Sequence, residues 1–231
     1  MIGIIGAINE EVQDLKAKMT GVCTEEKAGM TFFNGFLKDR ETVIVVSGVG
    51  KVNAAACTQI LIDCFHADRV INTGIAGALK NEINIGDIVL SSDAVQHDMD
   101  VQVFGYRQGQ IPRMKSSVFQ ADKTLIGEAE KACRKTHPEL GVFIGRVVSG
   151  DQFIADNTVR ENIARTFDAF CCEMEGAAVA QVCSINRIPF IIIRAMSNKA
   201  DGTASGQYDV FEKKAIGNFV DMTLEMVSGL Q

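Results

Sequence analysis

Two short acidic runs and one arginine hold most of the chemistry available to this chain: Glu10-Glu11 just after an apolar opening run, Glu173-Met174-Glu175, and Arg194-Ala195-Met196-Ser197-Asn198. A carboxylate at a strand end, facing a crevice, can take a proton from water, as hydrolysis by a general base requires; Glu11 is the candidate. Glu175 is suited to accept both hydroxyl protons of a ribose, with the soft Met174 side chain against the sugar and Arg194 orienting the carboxylate or the water. Each has a plainer reading. Acids at a helix start complement its dipole, with Asn9 as the expected cap. A buried glutamate is costly unless paired, so an ion pair of Glu173 or Glu175 with Arg194 is the structural alternative. Asn198 stands where an acid would be expected; its amide can hydrogen-bond to a base but has no proton to give.

Other chemistries find little support. The chain has 231 residues and a net charge of -6 with no basic stripe, which argues against a partner held by its phosphate backbone. Seven cysteines in no CxxC spacing read as reduced core residues, and His66, His97 and His137 fall in no zinc or nucleophile pattern, so no metal is expected. Ser47-Gly48-Val49-Gly50-Lys51 lacks the phosphate-loop spacing and no GxGxxG follows the first strand, so no nucleotide cofactor is expected. No apolar run is long enough to span a bilayer and no basic leader precedes Ile2, which points to a cytoplasmic protein without membrane contact.

The elements that must position these residues read as a single α/β domain over 1–231, a mixed central sheet with helices on both faces. Strands are expected at 2–7, 42–47, 69–73, 87–94, 143–149, 169–173 and 189–195, the most apolar of them in the sheet centre. Helices are expected to start near Glu10, Lys51, Ala121, Asn157, Glu175 and Tyr208. The last shows the clearest periodicity, with Val220, Thr223, Leu224 and Val227 on one side and Asp221 and Glu225 on the other. Residues 97–119 lack either period yet contain Phe104, Tyr106, Ile111, Pro112 and Val118, so this long loop should cover a site or a partner. Glycines after the strands allow backbone amides to approach a ligand.

In their order along nearly the whole chain, Ile2-Gly3-Ile4-Ile5-Gly6-Ala7 with Glu10-Glu11-Val12, Ser47-Gly48-Val49-Gly50-Lys51-Val52, Asn72-Thr73-Gly74, Gly86-Asp87-Ile88-Val89, Phe104-Gly105-Tyr106, Ser149-Gly150-Asp151, Phe153-Ile154, Glu173-Met174-Glu175 and Arg194-Ala195-Met196-Ser197 resemble bacterial 5′-methylthioadenosine/S-adenosylhomocysteine nucleosidases. The resemblance implies a nucleoside phosphorylase-like fold, a homodimer, and cleavage by water of the bond between adenine and ribose in an adenosine thioether. It implies that Glu11 activates the water, that Glu175 and Met174 hold the ribose, and that Phe153 stacks on adenine while the Phe153 to Ile154 backbone reads its edge. Ser197 joins the substrate-binding residues. Val101, Phe104 and Pro112 would cross the dimer to line the 5′-thio pocket beside Tyr208, which explains the apolar loop.

Two departures from the family matter most. An aspartate is expected at Asn198, to protonate ring nitrogen 7 of the leaving adenine; without it binding should survive better than turnover, giving a substrate-trapping form. Ile75 replaces a small hydroxyl residue near the water. A purine nucleoside phosphorylase and a non-catalytic nucleoside-binding protein are the alternatives. The acidic first loop, Asn9-Glu10-Glu11, would repel phosphate and suits water.

Overall fold

The computed structural model describes residues 1–199 and 208–230, and the side chains of 1–197, 217 and 220–230. Its strands are β1 (Ile2–Gly6), β2 (Thr20–Lys27), β3 (Met30–Leu37), β4 (Arg40–Val46), β5 (Arg69–Ala78), β6 (Ile88–Gln96), β7 (Phe119–Gln120), β8 (Val142–Ser149), β9 (Cys171–Glu173) and β10 (Phe190–Lys199). The helices are α1 (Gln13–Ala17), α2 (Lys51–Phe65), α3 (Lys123–Thr136), α4 (Asn157–Phe167), α5 (Gly176–Asn186) and α6 (Tyr208–Gly229). As expected, this is a mixed α/β architecture around a central sheet.

The sheet runs β10-β6-β8-β9-β5-β1-β4-β3-β2, with β7 added to β6, and β10 also pairs with β5. That second pairing closes β10, β6, β8, β9 and β5 into a five-stranded ring, from which β1, β4, β3 and β2 extend as a wing. Strand β5 is the fork. Its first half pairs with β1 in parallel, its end at Gly77 and Ala78 pairs with β9 antiparallel, and β10 follows its other edge throughout. Between the departure of β1 and the arrival of β9 lies a crevice.

Successive residues of the central strands feed opposite faces, as the pleat demands. Ile5, Val43, Val45, Val70 and Ile192 pack with Ala54, Cys57 and Leu61 of α2 and with Ala177–Cys183 of α5. Ile4, Ile44, Ile71, Ile191 and Ile193 pack on the other face with α3 and α6. On α6 Val220, Thr223, Leu224 and Val227 are buried and Asp221 is exposed, as the periodicity predicts; Gly217 apart, the helix before Val220 lies outside the described side chains.

Three strands escaped the sequence reading. The β2–β3 and β3–β4 turns are two-residue loops with positive φ at both positions, Ala28 (50°) and Gly29 (75°), then Lys38 (50°) and Asp39 (61°), which is the turn geometry that matches strand twist. Only one of those four residues is a glycine. No residue of β2 is buried, so it carries no apolar alternation, and β7 is too short to show any. Strand β5 also runs beyond Thr73, because Gly74 and Gly77 continue the ladder rather than end it. Asn9 is not the expected cap: it lies within a 3₁₀ turn (Asn9–Glu11), where it donates to Gln13 Oε1 and accepts from Lys16 Nζ. Helix α3 starts at Lys123, two residues late, capped by Asp122, which accepts from the amides of Thr124 and Leu125. Five cysteines are buried as expected, but Cys23 on β2 and Cys64 on the outer side of α2 are exposed.

Candidate active site

The crevice beside β5 is a cavity of about 160 Å³ lined by Ala7, Ile8, Glu11, Val49, Ile75, Ala76, Gly77, Phe153, Cys172, Glu173, Met174, Glu175 and Ser197. Glu11, Ile75, Phe153, Met174, Glu175 and Ser197, all named from the sequence, meet there. They arrive from the 3₁₀ turn after β1, from β5, from the segment before α4, from the β9–α5 junction and from β10, so the fork gathers residues far apart in the chain.

Glu11 is buried, and its carboxylate accepts three backbone amides: Ala7 at 2.6 Å and Ile8 at 3.2 Å on Oε2, and Ile75 at 3.2 Å on Oε1. Burial raises its pKa above the ordinary glutamate value, against the opposing charge of Arg194 and the three amides. Gly74 makes this placement possible, since a Cβ there would stand 2.6 Å from Glu11 Oε1.

Glu173 makes the ion pair that the sequence left open. Its Oε2 accepts Arg194 Nη2 at 2.5 Å and the amides of Glu175 and Gly176, while Oε1 accepts the Ser149 hydroxyl. Burial pushes its pKa up, but Arg194 and these bonds outweigh burial and hold it below the ordinary value. Arg194 also donates to Asn72 Oδ1 at 2.6 Å and to the Asn72 and Ile193 carbonyls, and it lies behind the cavity wall rather than on it. Glu175 faces the opposite situation. Its Oε1 accepts the Gly50 amide at 2.8 Å, and burial together with the charge of Glu173 raises its pKa to about 7.

Other expected residues lie elsewhere. Ile154 packs against the apolar cluster that includes Leu79, Val95 and Phe167 and does not line this cavity. Val101, Phe104 and Pro112 do not reach this cavity within one chain, and Phe104 is 78% exposed. The side chains of Asn198 and Tyr208 are outside the described residues; the Asn198 backbone pairs with Gly77 just after a bulge in β10. The sequence reading missed Gly50, Ser149 and Asn72. A polar Asn72 inside the apolar run of β5 was a readable signal; an amide such as that of Gly50 leaves none. Cys172 lines the wall, but burial pushes its thiol pKa far upward, so it serves as apolar surface. Among the described residues no cluster of His, Cys, Asp and Glu could hold a metal, and no helix is long and apolar enough to cross a membrane.

A mixed sheet forked in this way, with carboxylates at its strand ends, defines a class, and a family model described as the phosphorylase superfamily matches residues 1–228. A 5′-methylthioadenosine/S-adenosylhomocysteine nucleosidase of Staphylococcus aureus is 44% identical over 216 residues, 93% of either chain. The Neisseria meningitidis nucleosidase in complex with methylthio-immucillin-A superposes with a TM-score of 0.94 at 38% identity over 99% of both chains. That of Colwellia psychrerythraea, in complex with adenine, gives 0.93 at 37%, covering 98% of this chain and 93% of its own. The chain belongs to the phosphorylase superfamily and, within it, to the 5′-methylthioadenosine/S-adenosylhomocysteine nucleosidases. A further similar structure is an Asp-to-Asn mutant of the Helicobacter pylori nucleosidase with 5′-methylthioadenosine in the active site, with a TM-score of 0.93 at 30% identity over 99% of this chain and 98% of its own.

Proposed function

We propose that this chain binds 5′-methylthioadenosine and S-adenosylhomocysteine in the β5 crevice, on a frame built to hydrolyse their N-glycosidic bond to adenine and a thioribose, and that Asn198 makes turnover slow. The observation that carries this reading is that Glu11 and Glu175 line one cavity with Phe153 at its rim. Glu11, fixed by three amides, is the base for water. Glu175 grips the ribose hydroxyls with Met174 against the sugar, and Phe153, 65% exposed, stacks on adenine. Ser197 and the Ile154 backbone bound the base, Ile75 the water side, and Tyr208 the 5′ end.

Electrostatics favour water over phosphate. The lining contains Glu11, Glu173 and Glu175 but no Lys, Arg or His among the described residues, and Arg194 is already engaged by Glu173. A phosphate dianion would find no cationic partner on the described lining. The mechanism needs no cofactor. Arg194 acts as a positioning residue that fixes Glu173 and, through its charge, Glu11.

Asn198 removes the proton donor for the leaving base, and positioned acids contribute roughly 10²–10⁴ in rate. The Helicobacter pylori Asp-to-Asn mutant with 5′-methylthioadenosine in its active site supports a substrate-holding role for such a change. Adenine release from 5′-methylthioadenosine by the native chain and by Asn198→Asp tests the reading. The reverted chain should be faster by about 10²–10⁴, equally with and without phosphate; phosphate dependence would indicate a phosphorylase, and no gain on reversion a binding protein.

A further inference from the structure

Among the described residues, the carboxylate proposed to hold the ribose has a single hydrogen-bond donor, the Gly50 amide. Gly50 has φ 97° and ψ 163°, a conformation essentially confined to glycine, and it is the residue from which α2 starts. Within the turn the Gly50 carbonyl accepts the Ala54 amide at 3.1 Å and the Val49 carbonyl accepts Asn53 Nδ2 at 2.7 Å. Around it the structure closes a ring of three residues. Lys51 Nζ donates to Asp98 Oδ1 at 2.6 Å, the Lys51 amide donates to Asp151 Oδ1 at 2.8 Å, and the Asp151 amide donates to Asp98 Oδ2 at 3.0 Å. Lys51 Nζ also donates to Gln96 Oε1 at 3.0 Å. The Lys51 and Asp98 side chains are only 16% and 19% exposed, so the pair is partly shielded from solvent and salt.

We propose that Lys51, Asp98 and Asp151 are positioning residues for Glu175: the ring clamps the first turn of α2 so that the Gly50 amide stays aimed at the carboxylate that receives the ribose hydroxyls. The inference rests on the ribose role of Glu175 proposed above. Three segments distant in sequence meet in the ring: the start of α2, the end of β6 with the residues after it, and the loop after β8. Asp98 is also the second residue of the 97–119 segment, so the ring ties the ribose carboxylate to the stretch that a dimer would send toward the neighbouring cavity. A loosened Gly50 leaves Glu175 without its donor and beside the charge of Glu173, which disfavours the carboxylate form that a ribose needs.

Calorimetric titration of the native chain, Asp98→Asn and Lys51→Met with 5′-methylthioadenosine and with adenine alone tests this, with thermal midpoints recorded to show that each variant is folded. Each variant should lose about tenfold in affinity for 5′-methylthioadenosine, as expected for one hydrogen bond to a charged group, and less than about twofold for adenine. In a Glu175→Gln background, Asp98→Asn should add almost no further loss, because the two act through one contact. Unchanged 5′-methylthioadenosine affinity in both variants, an equal loss for adenine, or fully additive losses in the double variant would overturn the ring's role. A native chain that binds neither ligand would overturn the proposed function itself, and this inference with it.

Discussion

Glu175 is under two opposing demands: burial and the charge of Glu173 favour its neutral form, and the ribose proposed to bind there calls for its carboxylate. With its pKa raised to about 7 by burial and Glu173, the folded chain binds a proton there more tightly than the unfolded chain, whose glutamate titrates near 4.5. Linkage then gives a stability that falls as the pH rises from about 4.5 to about 7. Glu11 shifts in the same direction, whereas the contribution of Glu173, whose pKa is lowered, is lost only as the pH falls below the ordinary glutamate range. Glu175 and Glu11 therefore lower the thermal midpoint of the ligand-free chain across that window, against His97, whose pKa burial lowers and whose contribution rises with pH. Glu175→Gln should flatten much of the decline and raise the midpoint at about pH 8, while weakening 5′-methylthioadenosine binding tenfold or more. A variant less stable than the native chain at alkaline pH would contradict the assignment. Glu11 and Glu175 were legible in the sequence because acids at the ends of apolar strands are rare and costly; the groups that hold them, amides of Ala7, Ile8, Gly50 and Ile75, belong to the backbone and leave no side-chain signature.

At the scale of elements, β5 decides where the site is. It must pass between Glu11 and Arg194 without a side chain, and a Cβ on Gly74 would come within 2.6 Å of Glu11 Oε1 and 3.3 Å of Arg194 Nη1. Gly74→Ala should destabilise the fold by about 1–3 kcal/mol through overpacking. In an Asn198→Asp background it should lower kcat at least tenfold, since small displacements of a general base are costly. Denaturant titration and adenine release measure the two effects, and an undiminished kcat would show that Glu11 tolerates movement. The apolar runs of β1, β4 and β10 announced a sheet with both faces covered. The β2–β3 hairpin did not announce itself, because an exposed strand has no burial to enforce a pattern and its turns place Ala28, Lys38 and Asp39 where glycine or asparagine would be sought. The fork itself was not visible, because the double pairing of β5 depends on strands that lie far apart in the chain.

For the whole molecule, the exposed Phe104 and Val103, 78% and 87% accessible, fit the homodimer that the family resemblance implies, in which Val101, Phe104 and Pro112 would cover the 5′ end of the neighbouring cavity. Sedimentation should give a dimer of 25.0 kDa chains. Phe104→Ala should leave adenine affinity unchanged and weaken thioether affinity by about tenfold, the order expected for uncovering one aromatic side chain; a neutral substitution would remove the loop from the site. The ring of strands sets one further condition. Its final stave, β10, joins β5 across a separation such as the 122 residues between Asn72 and Arg194. On the ribosome the wing of β1, β4, β3 and β2 can therefore assemble early, but the barrel must wait open, its seam unsewn, until the segment ending at Lys199 emerges from the exit tunnel.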